Sequence, residues 1–203
     1  MPDLTRLPRS LLARALGAGT ALRGARVFHP RGQAYAARLV VTGGQRTGAR
    51  VLDEPAEHAA VVRLSRALGL PRPLPDAEGL ALRLPGLGVG GAPLDLLVNT
   101  AWRYVFVPRV LSATWSTLLP YDTGSGRRLV LGARPTREGF TLLLADLLGP
   151  WREWGRLVLG EPFDGEDLAF APTVGAPDLV PVRFLRSLRA QAYEDSQAAR
   201  ATR

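Results

Sequence analysis

The chain has 203 residues, enough for one domain with a buried core, and its 46% hydrophobic and 22% charged content is typical of a globular protein. It contains no cysteine, which excludes disulfides, thiolate metal sites and a cysteine nucleophile, and its two histidines give little basis for a zinc site. The net charge of +8 comes from 26 basic residues that are all arginine, scattered without a basic block. Because this scatter indicates a compositional bias, we expect no nucleic-acid partner.

Residues 1–23 form the first segment, in which leucine and alanine recur near helical spacing, as at Leu7, Leu11 and Leu16. This pattern predicts an amphipathic helix that packs on the following domain, with binding to a membrane surface as the alternative. Arginines interrupt its apolar residues, unlike those of a secretory signal. No apolar run in the chain approaches the roughly 20 residues that a bilayer requires. We therefore expect a cytoplasmic protein without stable membrane insertion.

Residues 24–160 change to short β-like runs separated by glycine and proline. The runs are Tyr35–Thr42, Ala60–Ser65, Gly79–Leu84, Leu94–Val98, Tyr104–Val107, Arg128–Leu131, Phe140–Leu144 and Gly155–Leu159. About eight short strands with frequent turns predict an antiparallel barrel or sandwich. Alternation is incomplete, which indicates that some strands are covered on both faces.

Residues 161–203 form the last segment. Residues 161–182 are rich in proline, glycine and aspartate and predict an extended loop, and Arg183–Arg200 has an apolar stripe that predicts a helix. The predicted class is α+β, a barrel with a helix at each end. Short barrel chains often cover exposed strands by association, so we also expect a homodimer.

Polar residues interrupt this apolar pattern at a few positions. His29 follows an apolar lead-in and precedes a turn, Arg63 and Ser65 share one face of a strand, and Asn99 closes an apolar run. A lone histidine is more often structural than catalytic, and each of these residues alone is weak evidence. The second histidine, His58, is expected to be exposed and without a role.

Four motifs follow one another between Arg26 and Thr100. They are Arg26-Val-Phe-His29-Pro-Arg-Gly32, Val62-Arg63-Leu-Ser65, Gly79-Leu-Ala-Leu-Arg-Leu84 and Asp95-Leu-Leu-Val-Asn99. In this order they resemble the core of the haem catalase family, with one residue fewer before the asparagine. A fifth match lies near the C-terminus, where Arg189-Ala-Gln-Ala-Tyr193 and Arg200 have the spacing of the family's iron-ligand helix.

The resemblance implies a haem b cofactor whose iron is held by the phenolate of Tyr193. Arg189, one turn earlier on a helix, would favour the ionised phenol. Arg26, Arg63 and Arg200 would pair with the two haem propionates.

On the open side, the resemblance assigns catalytic roles to three residues. His29 would move the proton of the peroxide, Asn99 would hold the peroxide by hydrogen bonding, and Ser65 would orient the imidazole. The implied function is a minimal catalase-like haem protein acting on a small peroxide substrate, either hydrogen peroxide or an organic hydroperoxide. Two alternatives stay open: a lipid-hydroperoxide isomerase or dehydratase on the same haem barrel, and a haem-free barrel that binds another small molecule or a partner protein.

The chain also departs from the family. It is less than half as long, Phe28 stands where the family has valine, and the phenylalanines after the asparagine are replaced by Trp102, Tyr104 and Phe106. These departures predict peroxidase or weak catalase activity rather than fast dismutation.

Overall fold

The fold is given by a computed structural model, which describes residues 31–66, 76–102, 105–106, 113–118, 120–147, 149–165 and 168–182. Both predicted terminal helices lie outside these residues. The regular elements are β1 Arg31–Val41, α1 Arg50–Asp53, β2 Ala56–Arg66, β3 Glu78–Leu84, a 3-10 turn Val89–Gly91, β4 Leu94–Trp102, β5 Val105–Phe106, β6 Trp115–Ser116, β7 Tyr121–Thr123, β8 Arg128–Pro135, β9 Gly139–Asp146, β10 Arg152–Phe163 and β11 Leu179–Pro181.

Eight of these strands close into an antiparallel barrel in the order β8-β6-β4-β3-β2-β1-β10-β9, and β9 pairs back onto β8. Closure leaves the barrel without a free sheet edge at that point. β7 and β11 extend the sheet from β8, while β5 pairs with the end of β4. The predicted antiparallel barrel is confirmed.

The barrel interior is filled by one face of every long strand. Leu80, Leu82 and Leu84 of β3 alternate with Ala81 and Arg83, as period-two patterning requires. The larger inner side chains are Leu39, Val62, Leu80, Leu82, Leu84, Leu94, Leu96, Leu129, Leu131, Phe140, Leu142, Leu144, Trp154 and Leu157. Burying each contributes about 1.5–3 kcal/mol. The apolar packing makes the interior a solid core, so a site has to lie on the outer face or at the ends.

Several strands are buried on their outer face as well. Asp95 and Asn99 of β4, and Val130 of β8, point away from the core and are nevertheless buried. This double burial is the physical reason for the incomplete alternation in the sequence. It also shows where the outside of the barrel is covered.

The prediction of an extended loop over residues 161–182 is wrong at both ends. Glu161 and Phe163 belong to β10, and Leu179–Pro181 forms β11 against β7. Between them the chain crosses the outer face of the barrel, and we call residues 168–182 the strap. Backbone hydrogen bonds hold the strap against the barrel. Val89 N–H donates to Gly175 O at 3.0 Å, and Val182 N–H donates to Pro120 O at 3.2 Å.

Candidate functional site: a polar row on the outer face of the barrel

The strand register places six small or polar residues side by side on the outer face of the barrel. Each is the direct cross-strand partner of the next: Gly32, Ser65, Gly79, Asn99, Ser116 and Gly132. Directly paired residues point to the same face of a sheet, and their neighbours along each strand point into the core. We call these six residues the outer-face row.

The row forms a floor with very little side-chain bulk. Three of its members are glycine, so side chains project only from Ser65, Asn99 and Ser116. Neighbouring strands lie about 4.8 Å apart, which separates Ser65 from Asn99 by roughly 10 Å, with Gly79 between them. The register therefore places three polar side chains on one face of neighbouring strands.

Asn99 has the most unusual environment in the row. It is only 6% exposed, yet its side-chain amide makes no hydrogen bond with any residue that the structure describes. Buried polar groups are nearly always hydrogen-bonded, and an amide offers both donors and an acceptor. The Asn99 amide is therefore the candidate ligand contact of the row.

The two serines of the row are held differently. Ser116 is fully buried, and its Oγ lies 3.5 Å from the carbonyl oxygen of Ala101, the limit of a hydrogen bond. Ser65 is half-buried and lies at the same distance from the carbonyl oxygen of Gly79.

Arg63 supplies a buried positive charge beside the row. It is 8% exposed, and its cross-strand partners are the small residues Ala34 and Ala81. Its guanidinium group lies against Gly32, where a Cβ would come within 2.7 Å of Arg63 Cζ and of the Leu64 carbonyl oxygen. Glycine at this position therefore allows the arginine to lie flat along the barrel.

Sequence reasoning missed two residues of this site. Ser116 lies in a strand of two residues, too short to produce a pattern. Trp151 precedes β10 and covers the far end of the row: a Cβ on Gly132 would lie 2.8 Å from its Cζ3 atom and 3.0 Å from its Cη2 atom. Gly149-Pro150 before it indicates only a turn, and nothing local to the sequence pairs Trp151 with Asn99.

The structure brings together three of the predicted site residues: Arg63, Ser65 and Asn99 lie on one face of neighbouring strands. The other five predicted site residues lie outside the described residues, so their placement stays a prediction. They are Arg26, His29, Arg189, Tyr193 and Arg200.

A second feature lies at the end of the barrel, beside α1. It is a cavity of ≈180 Å³ lined by Arg50, Val51, Glu54, Ala56, His58, Leu87, Ala176, Pro177 and Asp178. His58 is half-buried at its edge rather than exposed as expected, because the neighbouring strap partly covers it. About 23 Å of β2 separates His58 from Ser65, so the cavity is distinct from the outer-face row.

Two further observations bound the chemistry of the described part of the chain. No three His, Asp or Glu side chains within it lie close enough to hold a metal ion. No helix within it is both long enough and apolar enough to cross a membrane.

Comparison with known proteins shows the fold and no closer relationship. No protein-family model matches the chain, and no curated protein matches it in sequence. It is similar to the solved structure of a bacterial catalase, with a TM-score of 0.61 and 12% identity over 98% of this chain and 61% of that chain. The chain thus spans less than two thirds of that protein's length. The likeness shows that the chain has a catalase-like barrel fold.

Proposed function

We propose that the chain is a minimal catalase-like haem protein that reacts with hydrogen peroxide or organic hydroperoxides, as a peroxidase or weak catalase. The observation that carries the proposal is the buried side-chain amide of Asn99, which makes no hydrogen bond among the described residues and lies between Gly79 and Ser116 in the outer-face row. The barrel fold and the motifs around Arg63, Ser65 and Asn99 support it. A cytoplasmic location and a homodimer belong to the same proposal.

Two features of the described residues support a flat, anionic cofactor such as haem b. The members of the outer-face row have small side chains, and Arg63 is a largely buried cation that would hold a propionate by a charge-assisted hydrogen bond. We propose Arg26 and Arg200 as further propionate partners, and Tyr193, with Arg189 one turn before it, as the iron ligand. When bound, haem would supply the redox chemistry that side chains lack.

The chain's own residues would bind the peroxide and move its proton. Asn99 would donate a hydrogen bond from its Nδ2 atom to a peroxide oxygen and hold it over the floor. His29 would take the proton from the near oxygen and return it to the far oxygen as that oxygen leaves. Ser65 Oγ would hold the imidazole in the orientation that this transfer needs.

The first experiment is a haemin titration of the purified chain, followed by absorption spectroscopy. We expect a Soret band with the features of a phenolate ligand, and Tyr193→Phe should abolish haem retention while the fold survives. A Tyr193→Phe variant with full haem occupancy and an unchanged spectrum would show that the ligand is another residue. A wild-type chain that binds no haem would instead favour a haem-free barrel.

The second experiment measures peroxide reactivity in the haem-loaded protein. His29→Ala should retain haem and lose at least about 10²-fold in rate, the usual contribution of a positioned acid or base. Asn99→Ala should lose a similar factor, as removal of one preorganised donor does elsewhere. Thr141→Ala is the matched control, because Thr141 is a half-buried outer-face residue on β9, away from the row. Unchanged turnover in His29→Ala would reduce that residue to a structural role.

The reaction products distinguish the possible activities and substrates. Oxygen release from hydrogen peroxide indicates catalase activity, and oxidation of an added phenol indicates peroxidase activity. Conversion of a fatty-acid hydroperoxide without an added reductant would favour the isomerase or dehydratase alternative.

A further inference from the structure

One buried ion pair on the outer face of the barrel holds the strap. Arg83 of β3 and Asp95 of β4 are direct cross-strand partners and form a two-point pair, Nε to Oδ1 at 2.8 Å and Nη2 to Oδ2 at 2.7 Å. The Asp95 side chain is 1% exposed and that of Arg83 is 20% exposed. Two parallel hydrogen bonds between charged groups fix both the distance and the plane of the pair.

Both members of this pair also bind the strap. Asp95 Oδ2 accepts a hydrogen bond from the backbone N–H of Ala171 at 2.6 Å. Arg83 Nη2 donates to the carbonyl oxygen of Ala169, and its Cζ atom lies 4.8 Å from the ring centre of Phe170. Three successive strap residues are therefore held by charge-assisted and cation–π contacts. We call these contacts the latch.

The latch lies on the same strand and the same face as the candidate site. Asp95 precedes Asn99 by four residues on β4, a distance of about 13 Å, and both side chains point outward. From the latch the strap continues through β11 to Val182, whose N–H binds the Pro120 carbonyl oxygen. The chain that follows carries Arg189 and Tyr193.

We propose that Arg83 and Asp95 are positioning residues: the latch fixes the path of the strap over the face of the barrel that carries Asn99. That this face binds haem rests on the proposed function. A displacement of about 1 Å is enough to slow a reaction strongly. Strands hold reacting groups more precisely than loops do. A strap with little regular structure needs such an anchor, and a buried charge pair between two strands provides one.

Hydrogen exchange on the haem-free chain tests the anchor itself. In Arg83→Ala and Asp95→Asn, exchange of a peptide spanning residues 168–176 should accelerate about tenfold or more, since each variant loses a charge-assisted bond to this segment. Arg38→Ala is the matched control, because the Arg38–Glu57 ion pair also joins two neighbouring strands, β1 and β2. Its side chains are 57% and 58% exposed, and it touches no strap residue. Unchanged exchange in both latch variants would overturn the proposal.

A conservative variant covers the case in which alanine loosens the whole barrel. Arg83→Lys keeps the charge but lacks the second N–H group that reaches Ala169. If its faster exchange is confined to residues 168–176, the latch is confirmed as a local anchor. The proposal would be overturned if Arg83→Lys exchanges like the wild type while Arg83→Ala accelerates exchange in every strand alike. Arg83 would then contribute to the general stability of the barrel.

Haem binding then tests the positioning. In the presence of haemin, Arg83→Ala should bind about tenfold more weakly than Arg38→Ala or show shifted Soret and charge-transfer bands, and Arg83→Lys should restore part of the signal. Identical affinity and spectra in wild type and Arg83→Ala would overturn the positioning role. A wild-type chain that binds no haem would contradict the proposed function instead, and the exchange experiment would still decide the latch.

Discussion

Replacing Asn99 by leucine should make the haem-free chain more stable and should slow the peroxide reaction proposed for the haem-loaded chain. Leucine has the branching of asparagine without its polar atoms. The side chain is 6% exposed, and its cross-strand neighbours Gly79 and Ser116 are small, which leaves room for the two methyl groups. The substitution therefore removes a buried polar group without creating an overpacked one.

The size of the gain follows from the missing hydrogen bonds. A buried donor or acceptor without a partner costs about 1–3 kcal/mol of desolvation, which leucine does not incur. Asn99 makes no hydrogen bond within the described residues but keeps 6% of its surface exposed, so part of this cost should be recovered in the free energy of unfolding. For a domain of this size, each kcal/mol corresponds to roughly 2–4 °C in Tm.

Thermal and urea unfolding of the haem-free proteins provide the measurement. Thr141→Val is the control on β9, where a half-buried outer-face hydroxyl is replaced away from the row, and it should change stability by no more than about 0.5 kcal/mol. A leucine variant that is as stable as the wild type, or less stable, would show that the amide is already satisfied in the free protein. The open-amide reading of Asn99 would then be refuted.

Two further predictions concern Gly32 and the pH dependence of stability. Gly32→Ala should lower the free energy of unfolding by about 1–3 kcal/mol and weaken haem binding, because its Cβ would meet Arg63 and the Leu64 carbonyl oxygen at 2.7 Å; an unchanged urea midpoint would contradict this. Partial burial acts to raise the pKa of Asp53, but hydrogen bonds from the Thr47 backbone and hydroxyl and from a neighbouring N–H lower it below 3.8. Because the folded pKa is the lower one, this stabilisation is complete above about pH 4 and is lost as the pH falls further. Asp53→Asn should therefore reduce the loss of stability between pH 4 and 2, and an unchanged acid titration would show that Asp53 contributes nothing to it.

The strands that could be predicted are those whose own residues carry the pattern. β3 reads as inner leucines alternating with Gly79, Ala81 and Arg83, and its predicted and observed ends differ by one residue. β6, β7 and β11 have two or three residues each and exist because β8 and β7 offer free backbone groups to pair with. That dependence is on distant sequence, and no local window contains it.

The candidate site, too, could be predicted from the sequence only in part. Ser65 and Asn99 stand out in the sequence because each interrupts an apolar strand with a polar side chain. Their common row depends on the register of β2, β3 and β4, and a slip of one residue would turn one of them into the core. The row therefore becomes visible only when the glycine between them, Gly79, is seen to pair with both.

Burial alone does not distinguish a candidate ligand contact from a residue that holds the fold together. Asp95 and Asn99 are both buried polar residues on the outer face of β4, and the sequence gives no reason to treat them differently. Asp95 is saturated by Arg83 and Ala171, so its free energy of burial is offset by contacts within the chain. Asn99 has no such compensation among the described residues. A polar group that costs stability without a partner in the chain is expected to have one outside it. This difference is why we propose Asn99 as the ligand contact and Asp95 as the anchor.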